Sequence, residues 1–219
     1  MSETAKNLIY AFGNDQRSGK KIGLFFGSFN PIHVGHMILA NHMVNYTDLD
    51  EIWFVVSPQN PHKTKSSLLS EHHRLSMVNE AVGDNPKFRA SDIEFQLSKP
   101  SYTIDTLAYL EERYPDHKFA LLMGEDNLRS FHKWKNHEVI LDKFPILVYP
   151  RVLTIQEQEK EQRIEKHELL NHQNIHLVDA PITKISSSFI RRAIADGLDV
   201  KYLLTEPVWR YLDEMNFYK

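Results

Sequence analysis

No cysteine occurs anywhere in the 219 residues. That excludes disulfides, thiolate metal sites and a cysteine nucleophile, and it suits a reducing cytoplasm. Several signatures are missing too. There is no GxxxxGK[ST] loop, no GxGxxG fingerprint, no GxSxG elbow and no HExxH pair. By motif this sets aside P-loop enzymes, dinucleotide-dependent dehydrogenases, α/β-hydrolases and zincin-type proteases. No apolar run approaches membrane-spanning length. The N-terminus, MSETAKNLIYAFGNDQRSGKK, lacks the basic-then-apolar order of a signal peptide. A cytoplasmic protein with no membrane partner is the expectation. Positive charge is not in surplus: the formal net charge is −3. No global field recruits nucleic acid, and any anion site must be local.

What is present suffices for one sizeable core. Apolar residues make up 42% of the chain, near the globular norm. No internal repeat or Pro/Gly/Ser linker divides it. Residues 1–20 are expected as an N-terminal extension, a polar extension or short helix before the first strand or else a disordered tail, and residues 21–219 as one domain. Strands are expected at Ile22–Phe26, Ile52–Val56, Phe88–Ser91, Phe119–Met123, Ile146–Tyr149 and Ile175–Val178. The first, second, fourth and fifth are apolar on consecutive residues, as in strands covered on both faces. Helices are expected at Val34–Asn45, Glu71–Val82 with Ser70 as cap, Tyr102–Tyr114 after Ser101, Glu138–Lys143, Ser187–Ala195, and Pro207–Met215 with Thr205 as cap. Thr154–Leu170, dense in charge of both signs, is expected as an exposed helix. The alternation predicts an α/β fold with a doubly wound, mostly parallel sheet and helices on both faces. Ligands of such sheets sit beyond the carboxyl ends of the strands.

The chemistry-bearing residues fall at those ends. In KIGLFFGSFNPIHVGHM, Gly27 follows a buried strand and lets backbone approach a ligand. Pro31 and Gly35 limit where the next helix begins, and its positive end favours phosphate. His33 and His36 are one turn apart and can face the same crevice. Imidazoles there suit donation to a polyphosphate whose charge shifts toward a leaving group. As metal ligands they would need a third and usually a fourth partner. His72-His73 is the other tight pair, and no protein-held metal is expected. In ITKISSSFIRR, three serines precede a helix that carries two arginines. Hydroxyls and free N–H groups make a second anion cradle, with forked cations added; plain capping and solvated charge is the competing reading. SPQNPHK presents His62 and Lys63 on a stiff loop or simply makes a surface turn. In LLMGEDNLRSFHKW, Gly124 permits close approach, Asp126 can accept from ribose hydroxyls, and Trp134 is either a stacking face or a core anchor. Converging on one crevice, these features suit phosphoryl or nucleotidyl transfer between two nucleotide-like substrates.

GSFNPIHVGH resembles the G(T/S)FxPxHxGH signature of the HxGH nucleotidyltransferase superfamily, and ISSSFIR resembles its distal ISSTxIR element. SPQNPHK, SYTIDTL and the GxDxxxxxxxW spacing of Gly124, Asp126 and Trp134 narrow the resemblance to the bacterial nicotinate-nucleotide adenylyltransferases, from about Lys21 onward. The resemblance implies a Rossmann-like core and adenylyl transfer from ATP to nicotinate mononucleotide in NAD biosynthesis, with no covalent enzyme intermediate. Mg²⁺ would be carried by ATP and pyrophosphate without dedicated protein ligands. It further implies that Gly27, Ser28 and Phe29 face both substrates. His33, His36 and Arg191 would act on the phosphates, with His36 stabilising the transition state. Ser187 and Ser188 would hold the β and γ phosphates, and Gly124 and Asp126 the adenosine ribose. Trp134 would stack on the nicotinate ring. The Lys135 backbone N–H and Thr103 would receive its carboxylate, and Lys63 is a phosphate candidate.

The chain departs from that pattern at two places. Phe26 stands where the first of two glycines is common, and Asn30 where aspartate is usual. Asn30 keeps an acceptor and loses a charge. Ser188 replaces the usual threonine and keeps its hydroxyl. Three alternatives remain at this point. One is a nicotinamide mononucleotide adenylyltransferase. Another is a phosphopantetheine adenylyltransferase, against which SYTIDTL and the Gly124–Trp134 spacing speak. The third is a silent nucleotide-binding module, which intact His33, His36 and Arg191 disfavour. A homo-oligomer is left open.

Overall fold

The structure, a computed structural model, describes residues 8–13, 15–58, 68–98, 100–150, 168–181 and 183–219. Six strands form one sheet: β1 (Lys21–Gly27), β2 (Glu51–Val56), β3 (Phe88–Ser91), β4 (Lys118–Gly124), β5 (Ile146–Tyr149) and β6 (Ile175–Leu177). Their order is β3-β2-β1-β4-β5-β6, and every pairing is parallel. The order reverses between β1 and β4, which opens a crevice beyond their carboxyl ends.

Both faces of the sheet are covered, which is why its central strands read as unbroken apolar runs. Successive side chains alternate between two cores. Phe25, Phe54, Ala120, Leu122 and Leu147 pack on one face. Leu24, Trp53, Val55, Phe119, Leu121 and Met123 pack on the other. Helices α1 (Val34–Tyr46), α2 (Glu71–Val82), α6 (Ser187–Ala195) and α7 (Glu206–Glu214) bury Met43, Met77, Ile190 and Val208 against the first face. Helices α3 (Thr103–Arg113) and α5 (His137–Lys143) bury Leu107, Leu110 and Ile140 against the second, and a short α4 (Glu125–Arg129) follows β4.

The helix ends follow local chemistry. The Ser70 hydroxyl accepts from the His73 N–H, and Gly83, at φ 53°, ends α2. The Ser186 hydroxyl accepts from the Phe189 N–H at the start of α6. Two helix starts differ in detail from the expectation. Tyr102, not Ser101, is the residue preceding α3. Thr205 precedes α7, but its hydroxyl is buried without a partner. Among the described residues of 8–20 there is no helix, where a short one was among the expectations for residues 1–20. Ile9 instead bridges Thr47, the Ala11 N–H donates to Asp48, and Arg17 donates to the His117 carbonyl. Most of the charged stretch Thr154–Leu170 lies outside the described residues; its last three residues join a 3-10 turn at Glu168–Asn171.

Candidate active site

A cavity of about 640 Å³ opens where the strand order reverses, within the usual range for a small-molecule site. β1 runs into it and delivers Phe25 through Asn30; α1 brings His33, Gly35 and His36; α6 brings Ser186, Ser187, Ser188 and Arg191. Asp126 enters from α4 and Tyr149 from the end of β5. The two expected anion cradles are therefore opposite walls of one space. The N-termini of α1 and α6 both meet it, so unpaired N–H groups and the positive helix ends favour negative charge there.

The histidines are ordered by each other and by the turn. Their rings stack with centroids 3.7 Å apart. The His33 backbone N–H donates to Nδ1 of His36 at 3.2 Å. In the neutral ring that puts the proton on Nε2. His33 is buried, and its Nδ1 has no hydrogen-bond partner. Burial pushes its pKa down to about 4, so it is a neutral imidazole near pH 7. Gly35 is needed between them. A Cβ on it would lie 2.7 Å from Oγ1 of Thr183 and 3.0 Å from Nδ1 of His33.

The α6 wall is joined to the α1 wall directly. Ser187 donates to the Pro31 carbonyl at 2.8 Å, and Arg191 Nη1 donates to the Asn30 carbonyl at 2.8 Å. Arg191 Nη2 reaches the Ser188 hydroxyl at 3.3 Å. A guanidinium has five N–H donors, so these bonds leave capacity for a ligand. Ser186 makes the cap, and the next two serines line the cavity. Gly124 adjoins the cavity rather than lining it. A Cβ there would come within 2.5 Å of Oδ1 of Asp126, so the glycine is what lets the carboxylate fold back.

Thr103, Trp134 and Lys135 are not in this cavity. Lys135 is nevertheless tied to the start of α3. Thr103 begins α3, and on the same turn Asp105 pairs with Lys135 Nζ at 3.0 Å. That ammonium also lies 4.7 Å from the Tyr102 ring centre. Trp134 is half-buried and packs on Phe131 at 5.5 Å between centroids. Lys63 lies outside the described residues.

Motif reading missed four residues that shape the site. Arg74, fully buried, donates to the carbonyls of Leu69, Ser28, Ser57 and Pro58 at 2.7–3.0 Å. It ties the end of β1 to the end of β2. Glu94 is buried near the α3 start. Burial raises its pKa, with the hydroxyls of Ser57, Thr106 and Ser101 pulling the other way, and Thr106 donates to it at 2.9 Å. Tyr149 pairs in register with Gly124. Tyr218 donates to Oδ1 of Asn30 at 2.6 Å. The signal that could have found Arg74 and Glu94 is a charged residue at an apolar position of an otherwise buried face.

A parallel sheet of this order, with a crevice walled by two helix starts and a histidine pair, defines a nucleotide-binding α/β transferase. Residues 24–193 match the model of the Cytidylyltransferase-like family. A protein of Flavobacterium johnsoniae named "Probable nicotinate-nucleotide adenylyltransferase" is 53% identical, over 91% of this chain and 99% of its own. One of the same name from Christiangramia forsetii is 54% identical over the same shares. In fold, the chain is similar to a Plasmodium falciparum nicotinic acid mononucleotide adenylyltransferase solved with NaAD. That likeness has a TM-score of 0.71 at 22% identity and spans 91% of this chain and 98% of that one. The chain belongs to the nicotinate-nucleotide adenylyltransferase family of nucleotidyltransferases. No helix among the described residues is long and apolar enough to cross a membrane.

Proposed function

We propose that the chain transfers the adenylyl group of ATP to nicotinate mononucleotide, releasing pyrophosphate and nicotinate adenine dinucleotide. The observation that carries this reading is the shared cavity: His33, His36, Ser187, Ser188 and Arg191 line one space beside Asp126. A phosphate oxygen of the mononucleotide attacks the α-phosphorus of ATP. The new P–O bond forms as the bond to the β-phosphate oxygen breaks, and the electron pair leaves on pyrophosphate. Such a step asks for alignment and charge stabilisation rather than covalent chemistry.

Position in or beside the cavity supports the roles of the residues that line it, and the family resemblance supports those of Thr103, Trp134, Lys135 and Lys63. Ser187, Ser188 and Arg191, with the first N–H groups of α6, hold the β and γ phosphates. His36 donates from Nε2 to oxygens around the α-phosphorus, and His33 supports it. Gly27, Ser28 and Phe29 form the wall that the two substrates share. Gly124 and Asp126 take the adenosine ribose. Thr103, Trp134 and Lys135 take the pyridine ring and its carboxylate, with Lys63 on the mononucleotide phosphate. Among the described residues no three His, Cys, Asp or Glu side chains gather at one point, and Asp126 is the acid on the cavity wall. Mg²⁺ would be held by the phosphates of ATP and would supply neutralisation of charge on the departing pyrophosphate.

The test is a side-by-side assay of pyrophosphate release from ATP and Mg²⁺ with nicotinate or nicotinamide mononucleotide. The expected result is preference for the nicotinate form. Preference for nicotinamide would reassign the substrate, and no turnover with either would favour a binding module.

A further inference from the structure

Asn30 stands where three distant parts of the chain meet. Its Oδ1 accepts from the Tyr218 hydroxyl at 2.6 Å and from the Leu69 N–H at 3.3 Å. Its carbonyl accepts from Arg191 at 2.8 Å, and the adjacent Pro31 carbonyl accepts from Ser187 at 2.8 Å. Asn30 is only 3% exposed and lines the cavity. The two bonds from α6 are therefore made to a loop that Tyr218 steadies from behind.

Tyr218 is itself held for this purpose. Its backbone is left-handed, at φ 65°, a conformation that a bulky residue keeps only where its surroundings impose it. The preceding Phe217 packs on the His73 ring at 4.8 Å and on Tyr211 at 6.1 Å, between centroids. His73 in turn meets the Tyr211 hydroxyl at 3.0 Å. The segment after α7 is thus anchored on α2 and α7 before it presents its phenol. Burial pushes that phenol up, beyond the range where it would ionise in use, so it stays a donor.

We propose that Tyr218 and Asn30 are positioning residues for nucleotide binding and adenylyl transfer. The Tyr218 hydroxyl, through the Asn30 carboxamide, fixes the 27–31 loop so that Arg191 and Ser187 grip a triphosphate opposite His33 and His36. The proposal rests on reading the cavity as the ATP site. A loop not fixed beforehand must be ordered when ATP binds, and that ordering weakens both affinity and transition-state contact.

The experiment uses the full chain with Y218F, N30L and the double variant. ATP binding is measured by calorimetry, and turnover with nicotinate mononucleotide by pyrophosphate release. Y218F is expected to weaken ATP binding and lower kcat/KM for ATP roughly fivefold, the scale of one hydrogen bond. KM for the mononucleotide should change less than KM for ATP, because of its proposed residues only the shared wall of Gly27, Ser28 and Phe29 belongs to this loop. The double variant should be no worse than N30L alone, since both remove one link. A Y218F protein with lowered Tm but ordinary ATP affinity and kcat overturns the proposal, because its role would be structural only. Independent, multiplying effects of the two substitutions also overturn it. Should the wild-type chain fail to turn over the mononucleotide while Y218F still weakens ATP binding, the reaction assignment falls and the positioning role stands.

Discussion

His36 lines the cavity with its Nδ1 accepting from the backbone N–H of His33, which leaves Nε2 as the other ring nitrogen. A donor aimed at developing charge is worth about two to three orders of magnitude in rate. H36A is therefore expected to lower kcat by roughly 10²-fold or more, with little change in KM for the mononucleotide. A loss no larger than that of a surface substitution would remove His36 from its role. His33 leads to a pH prediction. Its pKa in the folded chain is lowered to about 4 by burial, whereas an exposed histidine titrates near about 6.5. The unfolded chain binds the proton more tightly, so the contribution to stability is complete above that unfolded value. It is lost as pH falls from there through about 4. Tm should fall on acidification across this window, and H33Q should flatten that part of the slope. An unchanged slope in H33Q would show that other groups set it.

Among the elements, the loops after β1 and β2 are joined by one side chain. Arg74 projects from α2 and satisfies four main-chain carbonyls from Ser28, Ser57, Pro58 and Leu69. R74A would leave them buried without donors, at a cost of about 3–5 kcal/mol. Chemical denaturation should show that loss, and R74K should recover only part of it, since an ammonium has fewer donors and no fork. A loss below about 1 kcal/mol would mean that water replaces the guanidinium. The elements themselves were legible in the sequence because both periodicities were strong. β3 and β5, α2 and α6 fall on the expected residues, and the remaining shared elements differ at their ends by a residue. The short α4 and the 3-10 turns were not foreseen, being too brief to carry a period. The convergence of His33, His36, Ser187, Ser188 and Arg191 on one cavity was legible too, because helix starts need particular residue types in order. Arg74, Glu94 and Tyr218 were not. Their partners are main-chain carbonyls, hydroxyls or a carboxamide, and no sequence spacing encodes a bond such as Tyr218 to Asn30, 188 positions apart.

Taken whole, the molecule carries a net charge of −3 yet concentrates Arg191 and two helix N-termini at one opening. Its attraction for ATP is thus local and only partly shielded from salt. Raising ionic strength from about 0.05 M to 0.5 M shortens the screening length to about 4 Å. KM for ATP should rise several-fold over that range, while kcat changes less. An insensitive KM would mean that the phosphates are held by neutral donors alone. The bonds that join the two walls also cross the chain at long range: Ser187 to Pro31 and Arg191 to Asn30 span 156 and 161 positions. A nascent polypeptide emerging from the ribosome therefore has its histidines early and their counterpart late. A copy whose synthesis stops before α6 would lack the cavity wall that carries Ser187, Ser188 and Arg191, so the geometry ties a complete cavity to synthesis through α6.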